Sequence, residues 1–159
     1  MQVLAQQLNL PSKDLDVYFT EKLNISIESY VQEHGWQAFR TKETALLQEV
    51  TELYYPQSVL ISTGGGVILA QENRTYMQTH GKVIYLQVPA ELLVTRLRKD
   101  PKVLQRPALT ELSLEQEVKQ ILMAREPLYL EMADQVVSAE EPLPMVVQAC
   151  LTLCKKWLA

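Results

Sequence analysis

The chain has 159 residues, 15 basic against 19 acidic, a formal net charge of −4, and is 47% hydrophobic and 21% charged. That length and balance fit one globular domain spanning 1–159 with a sizeable core, and exclude wholesale disorder. Mild acidity excludes an extended nucleic-acid surface, no apolar run reaches the roughly 18 residues of a membrane span, and MQVLAQQLNLPSKD lacks the basic start and cleavage site of a signal peptide.

In chain order, residues 3–8 read as the end of a helix stopped by Asn9 and Pro11. A brief strand into Asp14 follows, then helices over 17–23, 26–34 and 36–54, the second started by Ser26. Residues 57–63 (QSVLIST) form a short apolar run ending in glycines, the pattern of a buried strand. Strands over 82–88 and 134–138 alternate with helices over 70–79, 90–99 and 114–132, the last with an expected break near Pro127. A final helix covers 143–158, its start marked by Pro142 and Pro144. Alternating strands and helices predict an α/β fold, a three-layer parallel sheet with helices on both faces. Such a sheet normally opens on a strand, and here the first βα unit is expected to be incomplete.

Glycine is scarce. Usage of about 7% predicts roughly eleven, and there are five, of which Gly64, Gly65 and Gly66 are consecutive. They follow a strand and precede a helix, at the carboxyl end of the sheet where ligands bind. The run is either a tight turn or a loop that lets backbone N–H groups approach a ligand. Asp14 and Asp16, at a strand end, would share a face and suit a magnesium ion plus an acceptor hydroxyl; an acidic helix start is the other reading. Arg40 and Glu43 sit at i, i+3 on a helix, as an ion pair would. Arg106 lies in a proline-containing loop, and Arg125 precedes Glu-Pro-Leu-Tyr; each is either a surface charge or a fork for carboxylate or phosphate. Cys150 and Cys154, four apart on the last helix, fit neither a disulfide scaffold nor zinc and read as reduced cysteines of a cytoplasmic protein.

The order Asp-x-Asp, Phe-Arg with Glu three residues on, strand-Thr-Gly-Gly-Gly, Arg-Pro and Arg-x-Pro-Leu-Tyr resembles the shikimate kinases, small P-loop kinases related to the nucleoside monophosphate kinases. The resemblance runs from the first residues to about Pro142. It implies ATP-dependent phosphorylation of the shikimate 3-hydroxyl, on the route to chorismate and the aromatic amino acids. It implies that Asp16 orients or deprotonates the attacking hydroxyl, with Asp14 supporting Mg2+ through water. Arg40 and Arg125 would clamp the shikimate carboxylate, Glu43 would hold Arg40, and Gly64, Gly65 and Gly66 would present N–H groups. Arg106 would belong to a lid over about 99–113, the substrate helices would occupy about 15–54, and Arg96 with the loop near Pro142 would sandwich adenine. A cytoplasmic monomer is implied.

The family's opening strand and its G-x-x-x-x-G-K-[ST] loop have no counterpart in these 159 residues, where no glycine precedes Gly35. That leaves a shortened chain, a relative that keeps a shikimate site without the kinase reaction, or a chain whose partner supplies the missing parts. Self-association is expected if a central strand is truly missing. Another small hydroxy-acid kinase, such as a gluconate kinase, is the remaining alternative.

Overall fold

The computed structural model describes residues 1–99 and 113–159. Its elements are α1 (Gln2–Leu8), β1 (Ser12–Asp14), α2 (Leu15–Leu23), α3 (Ile27–Tyr54), β2 (Leu60–Ser62), a 3-10 turn (Val67–Leu69), α4 (Gln71–His80), β3 (Ile84–Gln87), α5 (Ala90–Lys99), α6 (Leu114–Met132), β4 (Gln135–Ser138) and α7 (Leu143–Leu158). The expected alternation is there, with strands shorter than the apolar runs that announce them.

Helix boundaries follow local chemistry. Asn9 and Asn24 close α1 and α2 in the left-handed conformation that asparagine tolerates. Ser26 caps α3, its hydroxyl accepting from Ser29 N–H at 3.0 Å. The two helices expected over 26–34 and 36–54 join at Gly35, whose φ of 81° and ψ of 165° belong to a region only glycine enters cheaply. That kink turns the second half of α3, with Arg40 and Glu43, relative to the first.

Three expectations need correction. Asp14 and Asp16 do not share a strand face, because the chain turns helical at Leu15. Asp14 is the N-cap of α2, its Oδ1 accepting from Asp16 N–H at 3.0 Å and Val17 N–H at 3.2 Å. The two orphan N–H groups of the helix start outweigh another residue of strand. The break at Pro127 does not occur either, and α6 runs through it. Contacts on both sides hold the helix to β3: Gln87 Nε2 donates to Glu126 Oε1 at 2.7 Å, and Tyr129 stacks on Tyr85 with centroids 5.0 Å apart. These offset the single backbone bond that proline removes.

Third, pairing is parallel as expected, but the strands form two ribbons instead of one sheet. Strand β1 pairs with β2 (Lys13 with Ile61), and β3 with β4 (Tyr85 with Val136). Among the described residues, no strand hydrogen-bonds to both ribbons. The core divides accordingly. Leu15, Leu47, Val50, Val67, Ile68 and Met132 pack beneath the first ribbon, and Val88, Val137, Val146 and Cys150 beneath the second. Phe19, Val31, Phe39 and Leu46 form a third cluster that joins α2 to α3. Burial pushes the thiols of Cys150 and Cys154 up, so both stay protonated and inert in the apolar core.

Candidate functional site

The site forms where the loop after β2 meets α2, α3 and α6. Helix α2 contributes Asp16 from its first turn, and α3 contributes Arg40 and Glu43. Arg40 Nη1 donates to Glu43 Oε2 at 2.7 Å, and Glu43 is buried, with 4% of its side chain exposed. Arg40 also lies over the rings of Trp36 and Phe39, at 5.4 and 5.0 Å, which fixes the guanidinium on a second side. Burial raises the Glu43 carboxyl above its ordinary 4.5, and nearby Asp16 adds to the rise. Arg40 and the charge of Arg125 oppose it. Arg125, half-buried on α6, therefore belongs to the same electrostatic cluster.

The glycine loop fits among these groups at van der Waals limits. A Cβ built on Gly64 would sit 3.3 Å from Glu43 Oε1 and 3.4 Å from Asp16 Oδ1. On Gly65 it would meet Tyr129 Oη at 2.9 Å, and on Gly66 it would overlap the Arg40 guanidinium. None of the three has a positive φ, so glycine is required here for space and not for backbone conformation. The protein's own carboxylates, phenol and guanidinium already occupy the space.

Asp16, Arg40, Glu43, Arg125 and all three glycines thus converge. Separately, Arg96 on α5 reaches the loop before α7, its Nη2 donating to Glu140 O at 3.4 Å, with Pro142 at the start of that helix. Arg106 and most of the expected lid lie outside the described residues. Three contributors were missed in the sequence, Asn73, Arg74 and Gln87, and Tyr129 stood there only as the last residue of Arg-x-Pro-Leu-Tyr, with no role of its own. Tyr129 could have been found from its position one helical turn beyond Arg125 on the same face; the other three touch backbone or side chains that no local pattern reveals.

The residues assembled here, two cations, two carboxylates and a glycine loop, suit a small ligand bearing a carboxylate and several hydroxyls. The family model described as shikimate kinase matches residues 2–155. The chain belongs to the shikimate kinase family. It is 41% identical over 148 residues to shikimate kinase 2 of Yersinia enterocolitica, covering 93% of this chain and 83% of that protein. It is 39% identical over 155 residues to shikimate kinase 2 of Syntrophotalea carbinolica, covering 98% and 88%. Its fold superposes with a TM-score of 0.85 on a shikimate kinase from Acinetobacter baumannii in complex with shikimate, at 30% identity, covering 96% of this chain and 83% of that one. The fold is therefore the P-loop kinase fold of the shikimate kinases, and the family is one of phosphotransferases. Among the described residues no helix is long and apolar enough to cross a membrane.

Proposed function

We propose that this member of the shikimate kinase family binds shikimate in the cleft lined by α2, α3, the glycine loop and α6, as a cytoplasmic protein whose family reaction is ATP-dependent phosphorylation of the 3-hydroxyl. The observation that carries the reading is the packing of three charged side chains against the glycine loop: Asp16 and Glu43 at Gly64, Arg40 at Gly66. Arg40 and Arg125 pair with the shikimate carboxylate, two planar forks against one anion. Glu43 holds Arg40 in place. Asp16 accepts the hydrogen bond of the reacting hydroxyl, and its carboxylate receives that proton as the hydroxyl attacks. Gly64, Gly65 and Gly66 donate to ring hydroxyls.

For the nucleotide, Arg96 and the loop at Pro142 hold adenine between them, and the family resemblance gives Arg106, outside the described residues, the role of a cation for the transferring phosphoryl group. Asp14 fits a magnesium ion, through water, as a hard oxygen donor. Its Oδ1 is committed to two helix N–H groups, which leaves the second oxygen for the water. Magnesium and ATP supply charge neutralisation and the phosphoryl group when bound. The residues present do not make a phosphate cradle, since no G-x-x-x-x-G-K-[ST] stretch occurs in the 159 residues. A second reading, shikimate binding without turnover, makes a different prediction for the same preparation.

Calorimetry with shikimate and a coupled ATP assay on the same preparation separate the two readings. Binding lost in Arg40→Ala and in Arg125→Ala supports the carboxylate clamp. Undiminished binding in Arg125→Ala refutes it. Robust turnover refutes the second reading, and preference for gluconate over shikimate would refute the substrate.

A further inference from the structure

The loop after β2 offers its carbonyls and its N–H groups to different partners. Gly64 O accepts from Val67 N–H at 3.1 Å, and Gly66 O from Leu69 N–H at 3.0 Å. Val67 O accepts from Asn73 Nδ2 at 3.0 Å, and Ile68 O from Arg74 Nη1 at 2.6 Å. Between them Gly65 O accepts from the Tyr129 hydroxyl at 2.6 Å. Every carbonyl from Gly64 to Ile68 is thus held by a donor. Among the described residues no backbone carbonyl of a turn or loop accepts from the N–H groups of Gly64, Gly65 or Gly66.

Four of those five donors lie within six residues of the carbonyl they hold. Tyr129 is 64 residues away in the chain and reaches the centre of the glycine run, at its exposed residue. Its ring is fixed by stacking on Tyr85, with planes inclined by 24°, and its helix by the Gln87–Glu126 bond. Arg125 sits one turn earlier on the same helix. In a trans peptide the C=O and N–H point in opposite directions. Holding Gly65 O at Tyr129 therefore turns Gly66 N–H away from α6.

We propose that Tyr129 is a positioning residue: its hydroxyl fixes the Gly65–Gly66 peptide so that Gly66 N–H faces the ligand, at a set distance from Arg125. The inference rests on the shikimate-binding reading for the ligand, and on geometry alone for the loop. The variant Tyr129→Phe keeps the stacked ring and removes only the hydroxyl, and Tyr85→Phe serves as the control. Hydrogen exchange of the peptide covering 63–69 reads the loop without any ligand, and calorimetry with shikimate reads binding. Loss of one hydrogen bond predicts roughly 3- to 10-fold faster exchange in 63–69. The shikimate dissociation constant should rise by a similar factor, with the thermal midpoint held near that of Tyr85→Phe. Unchanged exchange in Tyr129→Phe overturns the proposal. Faster exchange with unchanged shikimate affinity overturns the claim that the peptide faces the ligand. If the unsubstituted chain binds no shikimate, the substrate reading fails, and the exchange result still decides whether Tyr129 holds the loop.

Discussion

Replacing Gly66 by alanine is a clean probe of how the glycine loop and the arginine clamp depend on each other. Gly66 has φ of −91° and ψ of −9°, a conformation alanine adopts without strain. The three atoms nearest the added methyl all belong to the Arg40 guanidinium, Nη1, Nη2 and Cζ, each within overlap distance. Arginine is flexible and partly exposed, so the guanidinium moves and the fold survives. Moving, it leaves Glu43, 4% exposed and bonded at 2.7 Å, without its principal partner. A hydrogen bond to a charged group contributes about 1.5–3 kcal/mol. At about 1.4 kcal/mol per decade this corresponds to a roughly 10- to 150-fold loss of shikimate affinity when the displaced fork no longer meets the carboxylate. Gly64→Ala should cost less, because its methyl would sit at 3.3 and 3.4 Å from carboxylate oxygens that can give way. Titration calorimetry measures both, with thermal unfolding to confirm that each variant is folded. A folded Gly66→Ala chain that binds shikimate as tightly as the unsubstituted one would refute the clamp, since Arg40 could then leave its place at no cost.

Two further outcomes follow from the charges. Because the folded chain raises the Glu43 carboxyl above its ordinary 4.5, it binds that proton more tightly than the unfolded chain does. The stability from this group is therefore full below the ordinary value and declines as pH climbs through the raised one. Glu43→Gln should flatten that decline, read as urea midpoints over about pH 4 to 8; an unaltered pH profile would show that Glu43 is not the group responsible. Asp14→Ala should cost about 1 kcal/mol through the lost cap, while Asp14→Asn, an equally good cap, should stay close to the original stability. Equal losses in both variants, by urea denaturation, would mean that the charge of Asp14 and not its capping geometry sustains α2.

Much of this fold is legible from local pattern, because the signals that start and stop each element are themselves local. Ser26 caps where a serine before a helical run should, Gly35 divides two helices, and the end of the apolar run at Thr63 marks the loop that matters. The misreadings share one physical origin. Alternation along a strand says where side chains point only while the strand lasts, and at Leu15 it has already ended, so Asp14 and Asp16 acquire different roles. Pro127 weakens a helix by local rules, yet Glu126 and Tyr129 are held by residues about forty positions earlier or more. Apolar runs identify strands and say nothing of neighbours, so the pairing of β1 with β2 and of β3 with β4 could not be read from them. The candidate site was legible as a set of residues because several motifs occur in a fixed order, but Tyr129 contributes through a backbone carbonyl that carries no sequence mark.

The glycine shortage takes on a physical meaning at the loop. Gly64 O accepts from Val67 N–H and closes a turn over Gly65 and Gly66, yet none of the three has a positive φ, so turning alone would not demand glycine at any of them. Each of the three instead yields its Cβ space to a different side chain: the Asp16 and Glu43 carboxylates at Gly64, the Tyr129 phenol at Gly65, the Arg40 guanidinium at Gly66. Those side chains come from α2, α3 and α6, three elements with no continuous strand between them. A loop without side chains is thus where the groups from three helices set their distances to one another. Substitutions at 64, 65 and 66 should accordingly differ in which group they disturb, carboxylates first, then the phenol, then the guanidinium, although the chemical change is the same methyl each time. That distinction is what a loop serving only as a flexible connection would not show.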